Sequence, residues 1–260
     1  MAQPGLILAV LLVLGSAARP LVAQRVEDHV TLGIAASVAH DARTALQHFQ
    51  AALDQDSLSY EANWRGAMVL LTLGEQITHK KSAERDSLYA EAERYARRAV
   101  ATDPAGPDGH FALAASVGRT SLTLGKKARI RRAAEIRREA LRTLALNPRH
   151  DGAYHILGRW NAEIMRISGI GRFFARSFLG AGIFKEASWG KAIYNMEKAV
   201  QLDPARIYHH LELAEILIER KRVAAARSQL NLVDSLPLRE VMDSAYKRRA
   251  SALLRRLNKR

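Results

Sequence analysis

The sequence predicts an all-α protein, an α-solenoid of about five helix hairpins that ends in a C-terminal capping helix. Small residues return along the chain at five places, which are Gly33, Ala67, Ala114, Gly158 and Ala214. Four of the five repeats end in an Asp or Asn that precedes proline or serine. No stretch alternates apolar and polar residues for long enough to indicate a strand. Repeated pairs of helices explain all three observations.

The repeat contains two further small or apolar positions in each unit. The first set is Ala45, Ala92, Ile136, Ala192 and Ala226. The second set, seven residues later in each unit, is Ala52, Ala99, Thr143, Ala199 and Val233. Small side chains at such positions let two helices approach closely, so we expect them at the helix crossings.

Residue pairs that stop a helix close the units. These pairs are Asp56-Ser57, Asp103-Pro104, Asn147-Pro148, Asp203-Pro204 and Leu236-Pro237. Eleven residues separate each closing Asp or Asn from the next small residue, and proline cannot continue a helix. The predicted units are 26–59, 60–106, 107–150, 151–206 and 207–238, with a cap over 239–257. The three middle units carry insertions between their two helices.

The N-terminus predicts a secretory signal over residues 1–23. An apolar run from Leu6 to Leu14 precedes small residues that place cleavage after Ala18 or Ala23. We therefore expect an exported protein, periplasmic or secreted, and the alternative is an uncleaved N-terminal anchor. The chain has no cysteine, which excludes a lipid-bearing cysteine, disulfides and thiol catalysis.

Positive charge is concentrated in the third unit, in a chain of net charge +14. With two arginines of the fourth unit it forms a candidate anionic-surface site: Lys126, Lys127, Arg131, Arg132, Arg138, Arg172 and Arg176. A solvated helix face is the simplest interpretation. Anionic lipid headgroups or an acidic protein are the functional alternative. Nucleic acid is disfavoured, because the segment lacks interleaved aromatic residues and the chain carries an export signal.

The insertion of the fourth unit, residues 164–184, holds four of the six phenylalanines. One interpretation is an amphipathic segment that lies on a membrane surface, which would make the chain a peripheral membrane protein. The other is a folded loop that packs back onto the solenoid. Four glycines within the insertion favour the loop, because they break a long helix.

The repeat register resembles the tetratricopeptide (TPR) family, whose unit is a pair of antiparallel helices. The segments 155–160, 178–180 and 192–204 more closely resemble the regulator of microtubule dynamics family of TPR-like proteins. The resemblance covers about residues 92–254. It implies a non-enzymatic scaffold or adaptor. It does not imply the partner, because an exported chain would not meet tubulin.

A scaffold of this kind predicts binding of a protein or peptide on the concave face formed by the first helix of each hairpin. The candidate partner-binding residues are Asn63, Trp64, His110, Tyr154, Arg159 and His210. The sequence offers no phosphate-binding loop, nucleophile elbow or zinc-protease motif, so we expect neither catalysis nor a cofactor. The oligomeric state is left open.

A histidine-rich region around the fourth unit offers a weaker alternative. Asp151 and His155 lie four residues apart, and His150, His209 and His210 could complete a metal site for a hydrolase. The simpler expectation is that the Asp151 carboxylate caps a helix and that His155 faces the next hairpin. Trp160, further along the same helix, is expected to be buried.

Overall fold

A computed structural model describes residues 18–79, 82–121, 124–167 and 186–259. Within these ranges the secondary structure is helical, with no strand. The α-helices are α1 (Ala18–Val38), α2 (Ala42–Gln55), α3 (Tyr60–Gln76), α4 (Ala83–Thr102), α5 (Pro107–Thr120), α6 (Lys126–Leu146), α7 (Asp151–Arg166), α8 (Trp189–Leu202), α9 (Ile207–Glu219), α10 (Val223–Ser235) and α11 (Asp243–Asn258).

Successive helices pack as five hairpins. The pairs are α1 with α2, α3 with α4, α5 with α6, α7 with α8 and α9 with α10, and α11 packs on α10 and α9. Each hairpin also contacts the next one, and the two largest apolar clusters each include residues of neighbouring hairpins. The predicted all-α solenoid with a capping helix is confirmed.

The small residues of the repeat lie where helices cross. Ala67 and Ala214 are fully buried. A Cβ atom on Gly158 would meet Met196 Cε at 2.9 Å and the Ala192 carbonyl at 3.2 Å, so only glycine lets α7 approach α8 this closely. The seventh-residue positions are all fully buried: Ala52, Ala99, Thr143, Ala199 and Val233.

One position of the repeat departs from this pattern. Ile136 is half-buried and faces a cavity between the helices, whereas Ala133, Ala140 and Thr143 of the same helix are buried. The larger Ile136 side chain fits there because the cavity leaves it room.

The residues that were predicted to close the units do end the second helices. Asp56, Asp103, Asn147 and Asp203 occupy the C-cap positions. Each side-chain oxygen accepts a hydrogen bond from the backbone N–H two residues later, at 2.9 to 3.2 Å. This Asx turn redirects the chain toward the next hairpin. Leu236, the C-cap of α10, cannot form it.

Several predictions concern residues outside the described ranges. They are the apolar run from Leu6 to Leu14, most of the Phe-rich insertion, and the side chains of Arg172 and Arg176. Helix α1 begins at Ala18, so a cut after Ala23 would fall inside it. Among the described residues, no helix combines the length and the apolar character needed to cross a membrane. Export and signal cleavage stay predictions.

Candidate binding groove

The hairpins surround a cavity of about 1220 Å³, which we call the groove. Helices α3, α5 and α7, the first helices of three hairpins, form most of its wall, and residues of 239–246 form another part. Much of the wall is apolar, including Met68, Val69, Ala115, Ile156, Ile164 and Met242. The sequence predicted a surface made by the first helices, and this is where the groove lies.

The C-terminal helix reaches across the groove to the second hairpin. The hydroxyl of Tyr246 on α11 donates to Glu75 Oε2 on α3 at 3.0 Å, and its ring stacks on Tyr208 with centroids 4.6 Å apart. Glu75 also forms an ion pair with Arg119 on α5. These contacts connect the last helix to the second and third hairpins, so the groove is enclosed on this side.

Arg159 on α7 points into the groove. Its Nη1 donates to the Tyr208 hydroxyl and to Glu212 Oε1, the latter at 3.3 Å. Burial lowers the pKa of the Arg159 guanidinium, but Tyr208 and Glu212 outweigh burial and raise it above its ordinary value. Arg159 therefore stays a cation. Its Nε and Nη2 have no hydrogen-bond partner in the described part of the chain, and 34% of the side-chain surface is accessible.

One turn before Arg159, a chain of hydrogen bonds fixes the protonation of two histidines. Asp151 Oδ2 lies 2.9 Å from His209 Nε2, and His209 Nδ1 lies 2.9 Å from His155 Nδ1. Burial raises the pKa of Asp151, but bonds from His209 and Arg206 hold it well below its usual value. His209 Nε2–H therefore donates to an ionised carboxylate, which makes His209 Nδ1 the acceptor of a bond from His155.

The same network keeps His155 neutral. Burial lowers its pKa far below the ordinary value, and the nearby positive charges of Arg159 and Arg206 lower it further. Because Nδ1 carries the proton, His155 Nε2 is an acceptor, and it has no partner within the described ranges. Burial also lowers the pKa of His209. These two neutral histidines therefore connect α7 and α9 by hydrogen bonds and add no charge to the groove wall.

Asp151 lies at the start of α7, as predicted, but the prediction that its carboxylate caps this helix is wrong. His150 is the N-cap residue, and its Nδ1 accepts the Ala153 N–H at 3.2 Å. Asp151 follows it, and its carboxylate instead binds His209 and Arg206 of the next hairpin, the latter at 2.5 Å. A cationic partner on the adjacent hairpin outcompetes the backbone amide. No metal-binding group of His, Cys, Asp or Glu occurs among the described residues.

Only two of the six candidate partner-binding residues, Trp64 and Arg159, line the groove. The other four occupy one repeat position, seven residues after the closing Asp or Asn. They are Asn63, His110, Tyr154 and His210. Three of these four side chains bond to the carbonyl six residues earlier, at 2.9 to 3.0 Å. These three side chains therefore stabilise the turn that connects one hairpin to the next.

The remaining bonds of these residues also lie inside the fold. Asn63 is fully buried and accepts from Arg98 at 3.0 Å. His110 is bonded to Glu139 at 2.6 Å, and His210 to Gln229 at 2.6 Å. The constant spacing from the preceding turn is the sequence signal that distinguishes them from groove residues. Tyr154 is half-buried.

The arginines of α6 are largely paired within the protein. Arg132 pairs with Glu93 of α4, and Arg138 pairs with Glu139 at 2.8 Å. Arg137 pairs with Glu186 at 3.2 Å. Arg131 is exposed, and the side chains of Lys126 and Lys127 lie outside the description. The described part of this helix therefore presents less uncompensated charge than its sequence suggests, since Glu93 lies on another helix.

A family model for the regulator of microtubule dynamics protein 1-3 matches residues 34–258. The chain belongs to this family. The match runs from the end of α1 through the end of α11, so the groove of this regulator of microtubule dynamics family member lies entirely within it. The resemblance that the sequence indicated is confirmed. Among curated proteins, no relative matches the chain.

Solved TPR structures share the fold of this regulator of microtubule dynamics family member. A thermophilic TPR protein of Thermus thermophilus superposes with a TM-score of 0.63 at 17% identity, over 88% of this chain and 98% of its own. The pilF protein of Pseudomonas aeruginosa gives a TM-score of 0.50 at 16% identity, over 91% and 93%. At these identities the likeness shows a TPR-like fold, which is typical of protein-interaction scaffolds.

Proposed function

We propose that this protein is a non-enzymatic scaffold that binds a protein or peptide segment in the groove. The observation that carries the proposal is the apolar cavity of about 1220 Å³ along the first helices of the hairpins. Drug-sized ligands fill cavities of about 300–1,000 Å³, so a cavity above that range suits a longer ligand such as a peptide segment. Family membership and the TPR-like fold support it.

Gly118 offers a way to fill the groove without disturbing the core. It lies on α5 and lines the groove, and a Cβ atom there would meet no other atom within 4 Å. Gly118→Trp therefore places a large side chain in the ligand's space. Gly125, the exposed N-cap residue of α6, is a matched control because its Cβ would also meet nothing within 4 Å.

The test selects phage-displayed random peptides on the full chain and measures their affinity for both variants by fluorescence polarisation. We expect peptides that lose binding to Gly118→Trp and keep it for Gly125→Trp. Circular dichroism melts should show that both variants fold. Peptides that bind Gly118→Trp as tightly as the unmodified chain, or a failure to select any peptide, would contradict a peptide-binding groove.

A further inference from the structure

We propose that Arg159 is an anchor for the carboxylate of an acidic side chain, in a peptide whose neighbouring residues are apolar. This inference rests on the proposed function and names the chemistry of the segment that the groove accepts. It is carried by the hydrogen bonds of Arg159, by the charge of the groove wall and by the apolar residues that line the same groove.

The guanidinium of Arg159 is already oriented before any ligand arrives. Tyr208 and Glu212, both on α9, hold Nη1 and leave the edge formed by Nε and Nη2 without a partner among the described residues. About a third of the side-chain surface, 34%, is accessible. Two parallel N–H groups on one edge match the two oxygens of a carboxylate, which makes the pair bidentate.

The charges of the groove wall favour an anionic group. Its charged residues are Arg65, Arg119, Arg129, Arg159, Arg206 and Arg239 against Glu75, Glu163 and Glu240. Most of the other arginines already bind carboxylates, such as Arg65 with Glu61 at 2.6 Å and Arg239 with Asp203 at 2.9 Å. Among the described residues, Arg159 uses only Nη1 for its carboxylate, Glu212, and the edge formed by Nε and Nη2 binds none of them. The net charge of +14 also attracts acidic partners.

The apolar part of the groove wall limits how polar the rest of the ligand can be. Ile156 and Ile164 line the groove on the same helix, and Met68 lines it from α3. Apolar side chains of a ligand would be buried against them, whereas further charges would lose their hydration there. A single acidic residue flanked by apolar ones is therefore the sequence that fits.

Arg159→Lys separates charge from geometry. Lysine keeps a positive charge near Glu212, so this buried carboxylate is not left alone, but it cannot present two parallel donors. Each groove-dependent peptide is compared with its isosteric amide, in which Asp becomes Asn or Glu becomes Gln. For the unmodified chain we expect the amide to weaken binding about tenfold or more, because a charge-assisted bidentate pair is lost.

In the Arg159→Lys variant the same amide replacement should weaken binding about threefold or less, because lysine does not offer the carboxylate two parallel N–H donors. The unmodified chain and the Arg159→Lys variant should bind the amide peptide with nearly equal affinity. A structural defect in the variant would weaken binding of this peptide too, so equal affinity indicates that Arg159 acts on the carboxylate. Tyr208→Phe, which removes one support of Nη1, should reduce the preference for the acid without abolishing it.

The outcomes separate this inference from the function on which it rests. Groove-dependent peptides without an acidic residue, or an equal amide penalty in the two proteins, overturn the anchor and leave the groove as a peptide site. Preference for a free C-terminal carboxylate over an internal acidic residue also overturns the inference as stated. Failure to select groove-dependent peptides overturns both proposals.

Discussion

Two tryptophans differ in the hydrogen bonding of the indole N–H. Trp160 is 5% exposed and its Nε1–H donates to the Ala133 carbonyl at 2.7 Å, whereas the buried Nε1 of Trp64 has no partner within the described ranges. We expect Trp160→Phe to lower the free energy of unfolding by about 1–3 kcal/mol. Trp64→Phe should cost clearly less, because it removes a donor that is already unsatisfied. Urea denaturation followed by circular dichroism measures both, and equal losses would contradict the assigned bond.

Glu215 on α9 should make stability depend on pH. Burial and the charge of Glu212 raise its pKa from its ordinary 4.5 to about 7, although Arg249 on α11 binds it at 2.6 Å. The folded state then holds this proton more tightly than the unfolded state does. The contribution of Glu215 to stability therefore falls as the pH rises from about 4.5 to about 7.

Glu215→Gln isolates this contribution from other titrating groups. The melting temperature of the variant minus that of the unmodified chain should increase from pH 5 to pH 8, because glutamine does not ionise and Glu215 does. Thermal melts at several pH values give the difference. A difference that stays constant across this range would show that the pKa of Glu215 is not raised.

Individual site residues were harder to predict than the repeat. Periodicity identified buried positions such as Ala52 and Ala199, because helix crossing requires small side chains there. It also placed Asn63 and His110 on the binding surface, since both lie early in a first helix. Their bonds to a turn carbonyl depend on side-chain direction, which spacing alone does not give.

At the scale of the helix, two glycines should respond in opposite ways to alanine. Gly118→Ala on α5 should raise stability by roughly 0.5–1 kcal/mol, because its Cβ meets open space and alanine favours helix. Gly158→Ala on α7 should lower stability by about 1–3 kcal/mol, because its Cβ would press on the backbone of α8. Chemical denaturation measures both, and the same sign for both would contradict the described packing.

The ends of the second helices were predictable because their causes are local. An Asp or Asn at the C-cap, followed by proline, both stops the helix and forms the next turn. The cap of α7 was not predictable in this way. There the choice between His150 and Asp151 depended on Arg206 and His209, which belong to another hairpin.

At the scale of the whole molecule, the bond from Tyr246 to Glu75 joins residues that lie 171 positions apart. Tyr246→Phe keeps the ring stack with Tyr208 and removes only this bond. We expect a loss of about 1 kcal/mol in unfolding free energy and faster hydrogen exchange in α11. Mass-spectrometric hydrogen exchange measures the second effect, and unchanged exchange would show that the contact does not hold α11.

The sequence predicted the stacking order of the hairpins but not the enclosure of the groove. The order of the hairpins follows from the sequence repeat. The enclosure of the groove depends on small rotations between hairpins, which add up along the chain. No spacing rule connects Glu75 with Tyr246. The polar network around Arg159 and Tyr208 was missed for the same reason.

The contact between Glu75 and Tyr246 has an evolutionary consequence. An open solenoid tolerates gain or loss of a hairpin, because each unit touches only its neighbours. In this protein, adding or removing a hairpin between α3 and α11 would move Tyr246 out of hydrogen-bond reach of Glu75. The number of hairpins between Glu75 and Tyr246 is therefore constrained by the geometry of this contact.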